Sequence, residues 1–181
     1  VLCGTEYLAL NPAIGRFKRL RKTADRLLIS LGGSDTHGVT LKVVELVKKR
    51  RQSATVVIGP AFAHREELEK TIPNAYLLKS SVPSLIQEFS LHDIAITGGG
   101  VTPFEANASG LPCIIIASEW FEVPIAQHLQ RVGSSVFACH WNELDESLLD
   151  RELDIEKMSQ AGMNHISTNG LENIYKEIRA L

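Results

Sequence analysis

Short apolar runs alternate with amphipathic stretches of helical length along most of this 181-residue chain. The runs are Tyr7–Leu10, Leu27–Leu31, Thr55–Ile58, Ala75–Leu78, Ile94–Thr97, Cys113–Ile116 and Ser135–Ala138. Between the last six, helices are predicted over Thr40–Arg50, Arg65–Thr71, Val82–Phe89, Pro103–Ser109 and Pro124–Val132. The tail from Leu144 to Leu181 reads as two or three helices, broken near Gly162 and Gly170. Strand–helix alternation of this kind predicts an α/β fold with a doubly wound parallel sheet. Ligands of such sheets bind outside the carboxyl ends of the strands, where the strand order reverses, so the loops after the strands carry the candidate chemistry.

Two of those loops are rich in glycine. Gly32-Gly33-Ser34-Asp35 follows the run Leu27–Leu31, and Gly98-Gly99-Gly100-Val101-Thr102-Pro103-Phe104-Glu105 follows Ile94–Thr97. Glycines let a backbone approach a ligand closely and point its N–H groups at an anion. The first loop serves equally as a tight strand-to-helix turn. In the second, Thr102 is expected as N-cap, with Pro103 at the first helical position and Glu105 at the third, a capping box that needs no ligand. Three consecutive glycines are better explained by a phosphate lying over the start of the helix.

Other chemistries lack their signatures. No Gly-x-Gly-x-x-Gly follows the first sheet strand, and the next strand ends Ile58-Gly59-Pro60 without the acidic residue of a dinucleotide site. There is no P-loop and no Gly-x-Ser-x-Gly elbow. The histidines, His37, His64, His92, His128, His140 and His165, lack metal-ligand spacing, so no metal and no cofactor is expected. A formal net charge of -2 gives no footprint for nucleic acid. Three cysteines, Cys3, Cys113 and Cys139, with no paired spacing, read as a reducing, cytoplasmic setting. No run is long enough to span a membrane, and no signal peptide is read. The basic stretch Arg16, Lys18, Arg19, Arg21, Lys22 and Arg26 reads first as a solvated linker, and alternatively as a hinge attracting phosphate or a membrane surface.

The segment Leu28-Ile29-Ser30-Leu31-Gly32-Gly33-Ser34-Asp35 resembles the start of the C-terminal domain in the UDP-sugar hydrolase of pseudaminic-acid biosynthesis and its spore-coat polysaccharide relatives. Gly99-Gly100-Val101-Thr102-Pro103-Phe104-Glu105 with Gly110-Leu111-Pro112 resembles the Gly-Gly-Ser-Thr-x-x-Glu…Gly-x-Pro segment of that family. Ile125-Ala126, Leu129 and Gly133 fit it too, as they fit the undecaprenyl-pyrophosphoryl-muramoyl-pentapeptide N-acetylglucosaminyltransferase, which is more distantly similar. The resemblance implies a Rossmann-like GT-B C-terminal domain binding UDP or a UDP-sugar.

By the same resemblance, Glu105 would accept from the ribose hydroxyls, and Gly99, Gly100 and Thr102 would hold the diphosphate. Gly33 and Ser34 would face the cleft near phosphate or sugar. Leu78 to Val82, with Lys79, would line the base, largely through backbone groups. The family's loop serine is Val101 here, and its sugar-contacting glutamine falls at Glu122, a group that only accepts.

The resemblance also divides the chain. Residues 1–26 would be the end of an N-domain strand, Tyr7-Leu8-Ala9-Leu10, and the hinge; residues 27–181 would be the nucleotide-sugar domain. The chain begins Val1-Leu2 without Met, and is expected to be a truncated chain or a natural half-enzyme, as in bipartite N-acetylglucosaminyltransferases. The acid–base groups would then belong to a missing N-terminal domain or partner chain. Asp35, His37 and Glu122 face the expected region without being assigned catalysis. The expected reaction is hydrolase-like, with water attack and UDP leaving from a held diphosphate. The alternatives are a glycosyltransferase half and a non-catalytic nucleotide-binding module.

Overall fold

The structure, a computed structural model, describes residues 1–80 and 82–180. Six parallel strands form one sheet: β1 Leu27–Ser30, β2 Ala54–Ile58, β3 Leu77–Ser80, β4 Ile94–Thr97, β5 Cys113–Ala117 and β6 Ser135–His140. Their spatial order is β3-β2-β1-β4-β5-β6, a doubly wound sheet that reverses direction between β1 and β4. The helices are α1 Val39–Lys49, α2 Arg65–Thr71, α3 Leu85–Leu91, α4 Thr102–Ala108, α5 Val123–Val132, α6 Ile155–His165 and α7 Gly170–Arg179.

The central strands are buried on both faces, as near-continuous runs of Leu, Ile and Val require. Leu27, Ile29 and Leu31 pack under α1 with Val39, Val43 and Val47. Leu28 points the other way, against Phe89, Phe104, Leu111 and Leu129. Each fully buried side chain of this size contributes roughly 1.5–3 kcal/mol. These two apolar layers hold the strand ends, and therefore the loops, in place.

Four readings of the sequence are corrected. Tyr7–Leu10 forms no strand: Thr5–Tyr7 is a 3-10 turn, and Leu10 is drawn into the core beside Ile14, whose own 3-10 segment Pro12–Phe17 is capped by Asn11. The basic stretch is a solvated linker only in part: Arg16, Lys18 and Lys22 are exposed, while the other three fold back onto the domain. Arg19 and Arg26 both pair with Asp93, and Arg21 is 1% exposed, its guanidinium donating to the carbonyls of Arg19, Phe89, His92 and Ser109. Burial lowers the Arg21 pKa to about 9, so it stays charged at neutral pH. Gly162 does not break the tail; it lies inside α6, where a Cβ would fall 2.6 Å from the Asn107 carbonyl on α4. Finally, the capping box at Thr102 is absent: the N-cap is Val101, in helical conformation, with no side-chain hydrogen bond.

Candidate functional site

The two glycine-rich loops leave the sheet side by side, because Ser30 of β1 is in register with Thr97 of β4 at the point of reversal. In the first loop, Gly32 has φ 99°, a value side chains rarely adopt. Asp35 is buried, with Oδ1 2.9 Å from Val39 N and Oδ2 2.7 Å from Thr40 N. It thereby satisfies the first amides of α1 and leaves Gly33 and Ser34 exposed at the edge. The loop after β2 closes against the first: a Cβ on Gly59 would fall on the Gly33 backbone, and Ala61 N donates to Gly33 O at 3.2 Å.

A cavity of about 190 Å³ lies at this carboxyl edge. Gly33, Ile58, Pro60, Val82, Leu85 and Thr102 are among its walls. It joins Gly33, Val82 and Thr102, singled out from the sequence as site residues, with Ile58, Pro60 and Leu85, which were not. Ile58, Pro60 and Leu85 form apolar walls of the kind that suit a planar base. Thr102 stands one helical turn before Glu105, so the two share a face of α4.

Glu105 is half-buried, and burial raises its pKa. Among the described residues no donor reaches its carboxylate, and none accepts from the N–H groups of Gly100, Val101 or Thr102. The amides of Phe104 and Glu105, by contrast, both turn back to Val101 O, at 3.0 and 3.2 Å. A carboxylate without a donor beside three amides without an acceptor fits a ligand carrying hydroxyls and an anion.

Glu122 is differently employed. Its Oε2 accepts from Ser118 N at 2.7 Å, Gly99 N at 3.3 Å and Glu119 N at 3.4 Å. Gly99 is buried, and its amide already has this partner. Gly100, the next residue, carries the first of the open amides. The side chains of Leu78 and Lys79 turn from the cavity: Leu78 packs on the α1 face of the sheet, and Lys79 Nζ lies 2.8 Å from both Glu88 oxygens. Any part they take in lining a base falls to their backbone, as the resemblance implies. Ser81, within the same predicted segment, lies outside the described residues.

A group of aromatic and charged side chains, 104 positions apart at its widest stack, escaped the sequence reading. His37 stacks on Trp141 with centroids 4.1 Å apart, and Trp120 stacks on His140 at the same 4.1 Å separation. Lys42 lies 4.9 Å over the Trp141 ring, and His37 Nε2 is 3.5 Å from Glu119. These contacts join the loops after β1, β5 and β6. Three cavities are larger: an open, charged one of about 510 Å³ lies along α2 from Ala63 to Lys70, and two, about 300 and 370 Å³, open at the opposite edge, around Ser53 and Thr55 and around Leu148 and Leu153. The cations beside the Ser53 cavity are neutralised, Arg26 by Asp93 and Lys79 by Glu88. Neither of the two at that edge adjoins the switch point.

The sheet order and flanking helices define a Rossmann-like fold, similar to that of one domain of the GT-B glycosyltransferases. The chain matches MurG of Acinetobacter baumannii with a TM-score of 0.73 at 11% identity, over 93% of this chain and 53% of that one. It matches the spinosyn rhamnosyltransferase SpnG, complexed with thymidine diphosphate, with a TM-score of 0.60 at 19% identity, over 85% of this chain and 43% of that one. By sequence it is 25% identical over 142 residues to the spore coat polysaccharide biosynthesis protein SpsG of Bacillus subtilis (strain 168), covering 74% of this chain and 42% of SpsG. It is 29% identical over 126 residues to the uncharacterized protein MJ1062 of Methanocaldococcus jannaschii, covering 62% of this chain and 26% of that protein. No family profile matches. The chain thus spans between a quarter and about half the length of these proteins. Among its described residues no helix is long and apolar enough to cross a membrane.

Proposed function

We propose that this chain is the nucleotide-binding half of a GT-B-type enzyme that cleaves a nucleotide sugar, with UDP the expected leaving group, in surface polysaccharide or glycan assembly. The observation that carries this reading is Glu105, a half-buried carboxylate without a donor, one turn beyond the open amides of the glycine loop at the switch point. The ribose would lie against Glu105, whose two oxygens accept from two neighbouring hydroxyls. The diphosphate would meet the amides of Gly100, Val101 and Thr102, with Gly33 and Ser34 across the cleft. The base would enter between Ile58, Pro60, Val82 and Leu85. Amides held in place at the diphosphate stabilise the charge that develops as UDP leaves.

The attacking oxygen distinguishes two versions of this reaction. The resemblance of the Gly32–Asp35 segment favours water, and hence hydrolysis. The rhamnosyltransferase SpnG, of the same fold and solved also with its spinosyn aglycone, favours an acceptor other than water. In either version residues 1–26 would serve as the hinge to a second half that supplies the acid–base groups and the acceptor site.

Thermal unfolding with UDP, UMP, ADP and NAD tests the reading. A ligand at about a hundred times its dissociation constant adds roughly 2.7 kcal/mol to the folded state. UDP is expected to stabilise selectively, and less so after Glu105→Ala. Equal stabilisation by ADP, or an unchanged UDP effect in the variant, contradicts it.

A further inference from the structure

We infer that Glu122 is a positioning residue that holds the glycine loop after β4 ready for a diphosphate, an inference that rests on the nucleotide-binding reading. A run of three glycines lets a phosphate approach, yet it is the backbone most costly in entropy to order. Something must hold such a loop before the ligand arrives if binding is not to bear that cost. Glu122 is placed to do so. Its Oε2 gathers Gly99 N from the loop after β4, together with Ser118 N and Glu119 N from the loop after β5.

The fit is steric as well. A Cβ on Gly99 would fall 2.6 Å from Glu122 Cβ, so the glycine at this position admits the glutamate. Oε1 points toward Gly100, 3.8 Å from where a Cβ there would lie. With Oε2 engaged by three amides, the side chain braces the loop one residue upstream of the open amides at Gly100, Val101 and Thr102. This assigns Glu122 a task different from the sugar contact that its sequence position implies. The task needs an acceptor oxygen and a side chain of this length, both of which glutamine also offers.

The test titrates uridine, UMP and UDP into the full chain and its Glu122→Ala and Glu122→Gln variants, with amide hydrogen exchange of Gly99 and Gly100 followed in the free proteins. The Gly99 amide is expected to exchange slowly in the parent and in Glu122→Gln, and rapidly in Glu122→Ala. UDP affinity is expected to fall about tenfold in Glu122→Ala, to stay within about twofold for uridine, and to be restored by glutamine. Unchanged Gly99 exchange in Glu122→Ala, unchanged UDP affinity, or an equal loss for uridine and UDP overturns the proposal. If the parent chain binds no uridine nucleotide, the nucleotide reading fails, and Gly99 exchange alone then decides whether Glu122 holds the loop.

Discussion

Arg19 Nη2 lies 2.7 Å from Asp93 Oδ1, and Arg26 grips the same carboxylate at 2.8 and 2.9 Å. The two guanidiniums hold the Asp93 carboxyl well below the usual carboxylate range, Arg26 contributing most. A depressed folded pKa stabilises the fold above the unfolded value, near 3.9, and that stability is lost as pH falls through the folded one. Stability is therefore expected to decline below about pH 4. Asp93→Asn should remove about 2 kcal/mol at neutral pH and flatten that acid limb. Urea unfolding at pH 7 and pH 3 checks both. Glu105 acts in the opposite sense, since burial raises its pKa and makes ionisation less favourable in the fold than in the unfolded chain.

Arg21 gives a sharper result. Its guanidinium joins the carboxyl ends of α3 and α4, at Phe89 O and Ser109 O, with no carboxylate in its bonding set. Arg21→Ala would take one donor from each of four carbonyls, leaving Arg19 O with none and Phe89, His92 and Ser109 O with one apiece, and about 3 kcal/mol should be lost. Arg21→Lys should recover only part of this, because an ammonium cannot reach carbonyls in several directions at once. Chemical denaturation midpoints measure the difference.

Gly59 and Gly33 should respond oppositely to alanine. A Cβ at Gly59 meets the Gly33 backbone, which cannot yield, so Gly59→Ala should destabilise by about 2 kcal/mol. A Cβ at Gly33 meets nothing within 4 Å, so Gly33→Ala should fold within about 0.5 kcal/mol of the parent. Its methyl would nevertheless stand in the cleft and weaken UDP binding. Melting curves with and without UDP separate the two effects.

Cys113 is fully enclosed, and burial pushes its thiol up to about 12. The thiolate is the reactive form. Exposed Cys3 is expected to be alkylated at pH 8 in the native chain, and Cys113 only after denaturant is added. Mass mapping of the adducts checks the order.

The sheet was legible because its strands are apolar runs that loops punctuate, and six of the seven candidates are strands. Tyr7–Leu10 misled because a short apolar run fits a core-anchoring segment as well as a strand. Gly162 misled because glycine in a helix marks a close neighbour as readily as an end, and the neighbour, Asn107, is distant in sequence. Charge pattern could not show that Arg19, Arg21 and Arg26 fold back onto Asp93 and buried carbonyls. The loop glycines and Glu105 could be read because their place follows from the strand before them. The His37–Trp141 and Trp120–His140 stacks join residues far apart in the chain, and no local pattern announces them.

The central claim, a nucleotide seat at the carboxyl edge, is tested most directly by titrating UDP into the isotopically labelled chain and following every backbone amide. Perturbations are expected at Gly33, Ile58, Val82, Gly100, Thr102 and Glu105. Perturbations confined to the opposite edge, around Ser53, Thr55 and His92, or none at saturating UDP, would contradict it.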